Sequence, residues 1–491
     1  MNYFKFVTLS IVFLSIVLSS GAFALDIYVD TKTKQLFSEP GVGREFVGTV
    51  KGVEVPATEN NQEVNADDDQ ESKITEIKAS NEALTTDSNI QIKQGKDGAF
   101  SIETADGNFN FKLGGRINVD ASFSDHDHFT DAAGNNIEAN DGTEIRRGRL
   151  KFEGTFYKDW FFKSEVDFAD NNVAVTDMFI QYHGLGSARI RAGQQKQAFS
   201  RELQESANDL LFMERSAMNV LNQRTVNRAV GINVFSHGKS IFGLGQNWTG
   251  QAGIYGDTIV ANNRNTFADE GWGVSSRVTF APIAAPDKVI HIGVAGNYRK
   301  PNDAGEVIDE PLILAYETTH MSNLDLISTR IADIHNIKML GIEGHGLKGP
   351  FSIGGEYTNS WIDLKDGTGP SFNFNGWYAE AAWTLTGESR VYTNGLFHRV
   401  IPDKAFSLAK GGLGAWELAM RYAEVDLNDG TFKGGELGNL TVGLNWYPNQ
   451  IVRIMANYDK VLRIKDSPLI PKDGGRIDDL NTFMFRTQLA F

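Results

Sequence analysis

Phe483-Met484-Phe485-Arg486-Thr487-Gln488-Leu489-Ala490-Phe491 closes the chain. Phe483, Phe485, Leu489 and Phe491 share one parity, interrupted only by Thr487, while Met484, Arg486, Gln488 and Ala490 take the other. Period-two alternation describes a strand with one apolar and one wet face. As the edge of a soluble sheet, such a strand would invite aggregation. In a closed barrel it pairs with the first strand and turns its apolar row to hydrocarbon.

Working back from that terminus, the same two-faced pattern starts at residue 109 and hardly stops. It recurs near 109–123, 143–157, 160–169, 173–183, 187–197, 226–236, 246–256, 271–281, 287–299 and 336–347, then near 350–362, 374–386, 412–424, 435–447, 450–461 and 478–491. These sixteen segments satisfy the even count of single-chain bacterial barrels. Segments 311–320 and 389–400 also look strand-like and would give eighteen. Sixteen fits better, because short and long connections then alternate if 388–411 is one excursion on the short-turn side. Trp160, Trp272, Trp377, Trp383, Trp416 and Trp446 lie on the apolar parity of their strands, where amphipathic rings would sit at headgroup level. The expected fold is all-β: a 16-stranded antiparallel transmembrane barrel occupying 96–491, enclosing a water-filled passage.

The amino-terminal region reads differently. Lys5, the apolar run Phe6 to Leu18 and the small-x-small Ala22-Phe23-Ala24 have the grammar of a cleaved signal peptide over 1–24. Residues 25–71 form a periplasmic segment whose 59–71 stretch is acidic and almost free of apolar side chains, the signature of a linker. Ile74, Ile77, Asn81 and Leu84 follow at heptad spacing, so 72–95 is expected to be a short helical or coiled-coil segment. The chain has no cysteine, which excludes thiol chemistry and Cys-ligated zinc. Its formal net charge of −15 argues against nucleic acid as a partner. Processing after Ala24 would remove Lys5 and bring the charge to −16.

For a passage, the informative charges are those facing inward. Strand parity places thirteen cations there, including Lys112, Arg116, Arg147, Arg149, Arg189, Arg191 and Arg277, against ten acids, among them Asp177. The lumen is thus near +3 inside a strongly acidic chain, and rings of Arg and Lys favour anions. The competing reading is that these arginines pair with neighbouring acids and only keep the channel wet. Residues 198–225 are the expected constriction: the apolar run Leu210 to Met213 is flanked by charges including Arg201, Glu205, Glu214 and Arg215. Folding that run inward would place the polar flanks across the pore and narrow it; the alternative is packing against a neighbouring subunit.

Several short stretches carry a resemblance. Lys112-Leu113-Gly114-Gly115-Arg116, Arg146-Arg147, Tyr157-Lys158-Asp159-Trp160, Phe212-Met213-Glu214-Arg215, Leu385-Thr386-Gly387-Glu388, Gly414-Ala415-Trp416-Glu417-Leu418 and Val442-Gly443-Leu444-Asn445-Trp446-Tyr447 occur in order. Together they resemble the phosphate-selective porin O and P family of Gram-negative outer membranes, over roughly 97 to 491. The resemblance implies a homotrimer of sixteen-stranded barrels passing anions beside an inward-folded third loop. It also implies a phosphate path through Arg116, Arg146, Arg147 and Asp177. Arg146 has lipid-side parity, so it belongs at the rim or beside an irregularity. Where the resemblance expects lysines, this chain has Asn208 and Phe161, and Pro311 to Glu317 carries no cation.

The resulting expectation is a passive, anion-preferring outer-membrane channel for phosphate or a related oxyanion, with a weakly selective diffusion porin as the alternative. Its partners are lipid, small anionic solutes, further copies of itself, and the barrel-assembly machinery that would read the Phe491 strand. No cofactor or metal is expected. His126 and His128, expected in an external connection, suit only adventitious metal binding. Gly238-Lys239-Ser240 lacks the upstream Gly of a phosphate loop. A barrel enzyme would need a nucleophile or activated water with an orienting base, and no such constellation is written here. An adhesin or tether reading rests on 59–84 alone.

Overall fold

The computed structural model describes residues 24–30, 36–37, 44–51, 90–94 and 100–491, apart from 126–128, 132–133, 240–246, 257–270, 302–310, 366–368 and 473–476. The chain divides into Met1–Asp87 and Ser88–Phe491. In the first unit, strands Ala24–Asp30, Leu36–Phe37 and Arg44–Lys51 make a small antiparallel sheet. The signal stretch up to Phe23, the acidic linker and the heptad residues Ile74 to Leu84 lie outside the described residues, as do His126 and His128.

The second unit is a closed antiparallel barrel. Its strands are β1 (Phe109–Asp125), β2 (Gly142–Phe156), β3 (Trp160–Asp167) and β4 (Ala174–Leu185). Next come β5 (Ala188–Lys196), β6 (Arg228–Gly238), β7 (Asn247–Tyr255) and β8 (Trp272–Ala285). They are followed by β9 (Lys288–Lys300), β10 (Ile334–Lys348), β11 (Phe351–Leu364) and β12 (Phe372–Thr384). The last are β13 (Ala415–Asp429), β14 (Phe432–Tyr447), β15 (Val452–Lys465) and β16 (Asn481–Ala490). All sixteen alternating segments are barrel strands. β16 closes on β1 in register from Asn481↔Asp125 to Ala490↔Arg116, and Phe491 exchanges backbone hydrogen bonds of 2.8 and 3.0 Å with Gly115. No backbone edge is left at the seam, which is what hydrocarbon demands.

The opening stretch behaves as its alternation requires. Phe483, Phe485 and Leu489 are exposed on the outside at 45%, 49% and 36%, while Met484, Arg486, Gln488 and Ala490 are buried inside. Trp160, Trp272, Trp377 and Trp383 are likewise exposed on the outer face. A hairpin of Ile90–Gln94 and Phe100–Thr104 pairs with the first residues of β1. The helical reading of 72–95 therefore fails at its last residues, where alternating Ile90 and Ile92 belong to a strand.

The two further strand-like segments are not in the wall. Residues 390–400 form a hairpin, Arg390–Thr393 with Leu396–Val400, inside the long connection between β12 and β13. Its turn places Asn394 and Gly395 at φ 50° and 77°, the left-handed pair of a tight hairpin turn. Phe397 packs on Val289 and Leu347. Residues 312–316 pair with 327–331 within the connection between β9 and β10.

That second connection explains a departure from a wholly wet lumen. Leu314, Leu324, Leu326, Ile327 and Ile331 pack with Ile337, Met339, Ile362, Phe372, Phe374, Val425, Leu427, Leu437 and Val461 of β10 to β15, all on the inner parity. Phe199, Leu203, Met218 and Leu221 of the connection 197–227 join the same cluster. An apolar core thus fills the half of the barrel built from β10 to β15. The other half includes the shortest walls, with β3, β5 and β7 at eight or nine residues.

Candidate functional site

Along the opposite wall lies a cavity of about 450 Å³ bounded by β1 to β6 and the connection 197–227. Each of these strands sends charge into it by the two-residue period: Arg116 from β1, Arg149 from β2, Lys163 and Glu165 from β3, Asp177 from β4, Arg191 from β5. Arg146 should point to lipid, and does not. The β1–β2 register jumps from Asn118↔Arg147 to Val119↔Ile145, so Arg146 is the extra residue of a β-bulge. A bulge turns two successive side chains to one side, and Arg146 and Arg147 both reach Glu214 of the loop, at 3.1 and 3.9 Å.

The cavity is dominated by cations. Arg116, Arg146, Arg147, Arg149, Lys163, Arg191, Lys196, Arg215 and Arg228 line it, against only Glu165 and Asp177. Glu165 is shared by Arg116 at 3.3 Å, Arg149 at 3.0 Å and Lys163 at 3.8 Å. Asp177 is shared by Lys163 at 2.6 Å and Arg228 at 2.8 Å. Glu214 also reaches Arg146 and Arg147, and Asp167 reaches Arg149 at 2.6 Å, so nine cations meet four carboxylates and the field inside this cleft is still that of a cation cluster. Phe161 and Phe179 supply the apolar part of the lining, and the Arg191 guanidinium lies 4.2 Å from the centre of the Phe179 ring.

The loop that faces this wall is held from behind. α1 (Arg201–Gln204) and α2 (Asn219–Thr225) flank its middle. Arg201 donates to Glu205 at 2.6 Å, to Glu380 at 2.7 Å and to the Tyr378 hydroxyl at 2.6 Å. Glu356 accepts from the Ser200 hydroxyl and the backbone N–H groups of Arg201 and Glu202. Arg421 reaches Glu202 at 3.2 Å, Arg453 donates to the Leu210 carbonyl at 2.8 Å and Arg486 to that of Met213 at 2.7 Å. The apolar run finds its seat here: Leu211 and Phe212 pack on Ala382 and Ala419, Met213 on Met455 and Met484. Burial alone would raise the Glu214 carboxyl, yet Arg146, Arg147 and Arg486 hold it well below the usual carboxylate range.

The model of the phosphate-selective porin O and P family matches residues 111–491. The chain belongs to that family. It is an outer-membrane porin. A relative, Porin O of Pseudomonas aeruginosa, is 27% identical over 438 residues, covering 83% of this chain and 94% of the relative. An uncharacterized protein of Caulobacter vibrioides is 29% identical over 404 residues, covering 80% and 76%. Among solved structures, an anion-selective porin from Comamonas acidovorans superimposes with TM-score 0.48 at 12% identity, over 78% of this chain and all of that one.

Of the ten residues singled out in the sequence, the porin brings seven to the cavity: Arg116, Arg146, Arg147, Arg149, Asp177, Arg191 and Arg215. Three lie elsewhere. Lys112 sits 3.9 Å from Glu153 near the start of β1. Arg189 approaches His237 at 3.4 Å. Arg277 is locked by Glu343 at 2.5 Å and by the Gly395 carbonyl at 2.9 Å, behind the loop. Parity identifies an inward residue but not its height or its partners.

Sequence reasoning missed Lys196 and Arg228, which have lipid-side parity at paired strand ends. There the wall gives way to the loop, whose Gln204 and Glu205 carbonyls accept from the Lys196 ammonium at 3.1 and 2.8 Å. Asp177 captures Arg228. The two positions where lysines were expected diverge. Phe161 lines the cavity, whereas the Asn208 carbonyl faces Arg453 and Gln488, on the β15–β16 wall.

Proposed function

We propose that the porin passes small anions along the basic cavity, with the connection 197–227 as the inward-folded third loop that confines them to the wall of β1 to β6. The excess of cations, nine against the four carboxylates that reach them, carries this reading. An anion entering the cleft exchanges water for N–H donors of Arg116, Arg147 and Arg149, which offer planar forks suited to phosphate or carboxylate oxygens. Spreading the charge over many weak sites, rather than one deep one, lets the ion leave as readily as it enters. The phosphate specificity implied by the family's description fits Arg116, Arg146, Arg147 and Asp177. Phe161 and Asn208, in place of lysines, favour a looser choice among oxyanions.

Single-channel recording separates the two readings. Saturable conductance at low salt, with block of chloride current by phosphate, supports an oxyanion path; conductance rising linearly with salt and no block would make this a general diffusion porin. Assembly as a homotrimer is proposed on the family resemblance, export by the 1–24 leader on its signal grammar, and insertion through recognition of the Phe491 strand on that strand's alternation. Mass measurement of the detergent-extracted porin tests the first, and a monomer would refute it.

A further inference from the structure

On the outer face, a second cavity of about 680 Å³ crosses β9 to β13. Its floor dips because Gly346 and Ala381 stand in one cross-strand row between Ile290, Ile353 and Met420. The row beneath reads Lys288, Lys348, Phe351, Trp383 and Leu418 across the same strands. Phe351 and Trp383 stack with ring centres 5.7 Å apart and close one side. Lys288 and Lys348 are directly opposed residues at the rim that carries the short turns.

Like charges placed opposite one another across two strands destabilise the pair. Both lysines are exposed, and among the described residues neither ammonium is in an ion pair. The other outward lysine of β10, Lys338, is paired with Asp363 at 2.8 Å at the opposite rim. An apolar furrow capped by two unanswered cations has the chemistry of a lipid anchor: hydrocarbon lies in the furrow and an anionic headgroup bridges the ammonium groups. The short-turn rim of an outer-membrane barrel faces the periplasmic leaflet.

We propose that this furrow binds one anionic glycerophospholipid of the periplasmic leaflet, its phosphate between Lys288 and Lys348 and its acyl chains over Gly346 and Ala381. The site is separate from the pore and does not depend on what the pore conducts. It gives each barrel a defined lipid on the wall remote from the β1–β16 seam.

Native mass spectrometry of the purified porin, titrated with phosphatidylglycerol or phosphatidylethanolamine of matched chains, tests this. One phosphatidylglycerol per chain should be retained in preference to phosphatidylethanolamine. Lys288→Gln combined with Lys348→Gln should weaken phosphatidylglycerol roughly 30-fold, from the loss of two cations near a lipid surface. Ala381→Trp, which fills the furrow and keeps both lysines, should weaken both lipids, and Lys338→Gln should change neither. Bilayer conductance of these variants should match the parent, showing an intact barrel. Equal retention of the two lipids, or a double lysine variant that binds as the parent does, would overturn the proposal. So would a second copy cross-linked over the furrow through Lys348→Cys.

Discussion

Two sites in one lumen invert each other. On the loop side, Arg201 is one cation among three carboxylates, Glu205, Glu380 and Glu356, at 2.6, 2.7 and 3.8 Å. Across the passage, Glu165 is one carboxylate among three cations, Arg116, Arg149 and Lys163. Both contain buried, bonded charge, and a count of inward residues treats them alike. The difference lies in what remains after pairing. The Arg201 hub is an anchor whose acids are spent on the loop. The Glu165 cluster keeps positive charge in reserve for a mobile anion.

The sharpest way to break this contrast is to exchange the consequences of mutation. Arg201→Met leaves three carboxylates facing one another in a dry pocket, and stranding a buried partner costs about 3–5 kcal/mol. Thermal or denaturant unfolding in detergent should show that loss, together with noisy conductance as the loop comes free. A stable, quiet Arg201→Met channel would mean the hub is not an anchor.

Removing cations from the opposite wall should do the reverse. Arg116→Gln combined with Arg147→Gln should leave unfolding close to the parent. Each lost bond to an ionised group is worth roughly 1.5–3 kcal/mol, so with two removed, phosphate block should weaken by about 100-fold or more. Glu165→Gln sharpens the comparison from the other direction. It releases three cations from their shared acid, and anion affinity should rise roughly fivefold, read as conductance saturating at lower salt. A fall in affinity would place Glu165 among the anion's own contacts.

The smallest expected effect is one of pH at the mouth, on the connection between β9 and β10. Burial pushes the Glu317 carboxyl up to about 7, and a hydrogen bond from His320 to Glu144 raises that imidazole. Both groups bind protons more tightly in the folded loop than outside it. Their contribution is therefore full at low pH: that of Glu317 is lost as pH climbs from ordinary carboxylate values through 7, that of His320 above its usual range. Current fluctuations should grow modestly between pH 6 and 8, and Glu317→Gln should flatten the change. An identical pH response in that variant would exclude Glu317.

The wall was legible because every strand meets lipid on one side and repeats a period of two. The interior was legible only in part. Arg146 broke parity because a bulge adds a residue that no alternation announces. Val425, Leu427 and Leu437 are apolar on the inner parity because Leu326, Ile327 and Ile331 lie against them, a contact made by residues about a hundred positions away. The same contact explains why 311–320 imitates a strand: its alternation serves a packed interior rather than lipid. Lys196 and Arg228 were hidden for a related reason, since their partners belong to a loop and a neighbouring strand.

The most direct test of the central claim, that surplus cations on the β1–β6 wall set the current, is the reversal potential of the reconstituted porin in a tenfold KCl gradient. The parent channel should show the sign of anion preference, and Arg116→Gln combined with Arg147→Gln should move the potential toward zero. Cation preference in the parent, or an unchanged potential in the double variant, would contradict the account.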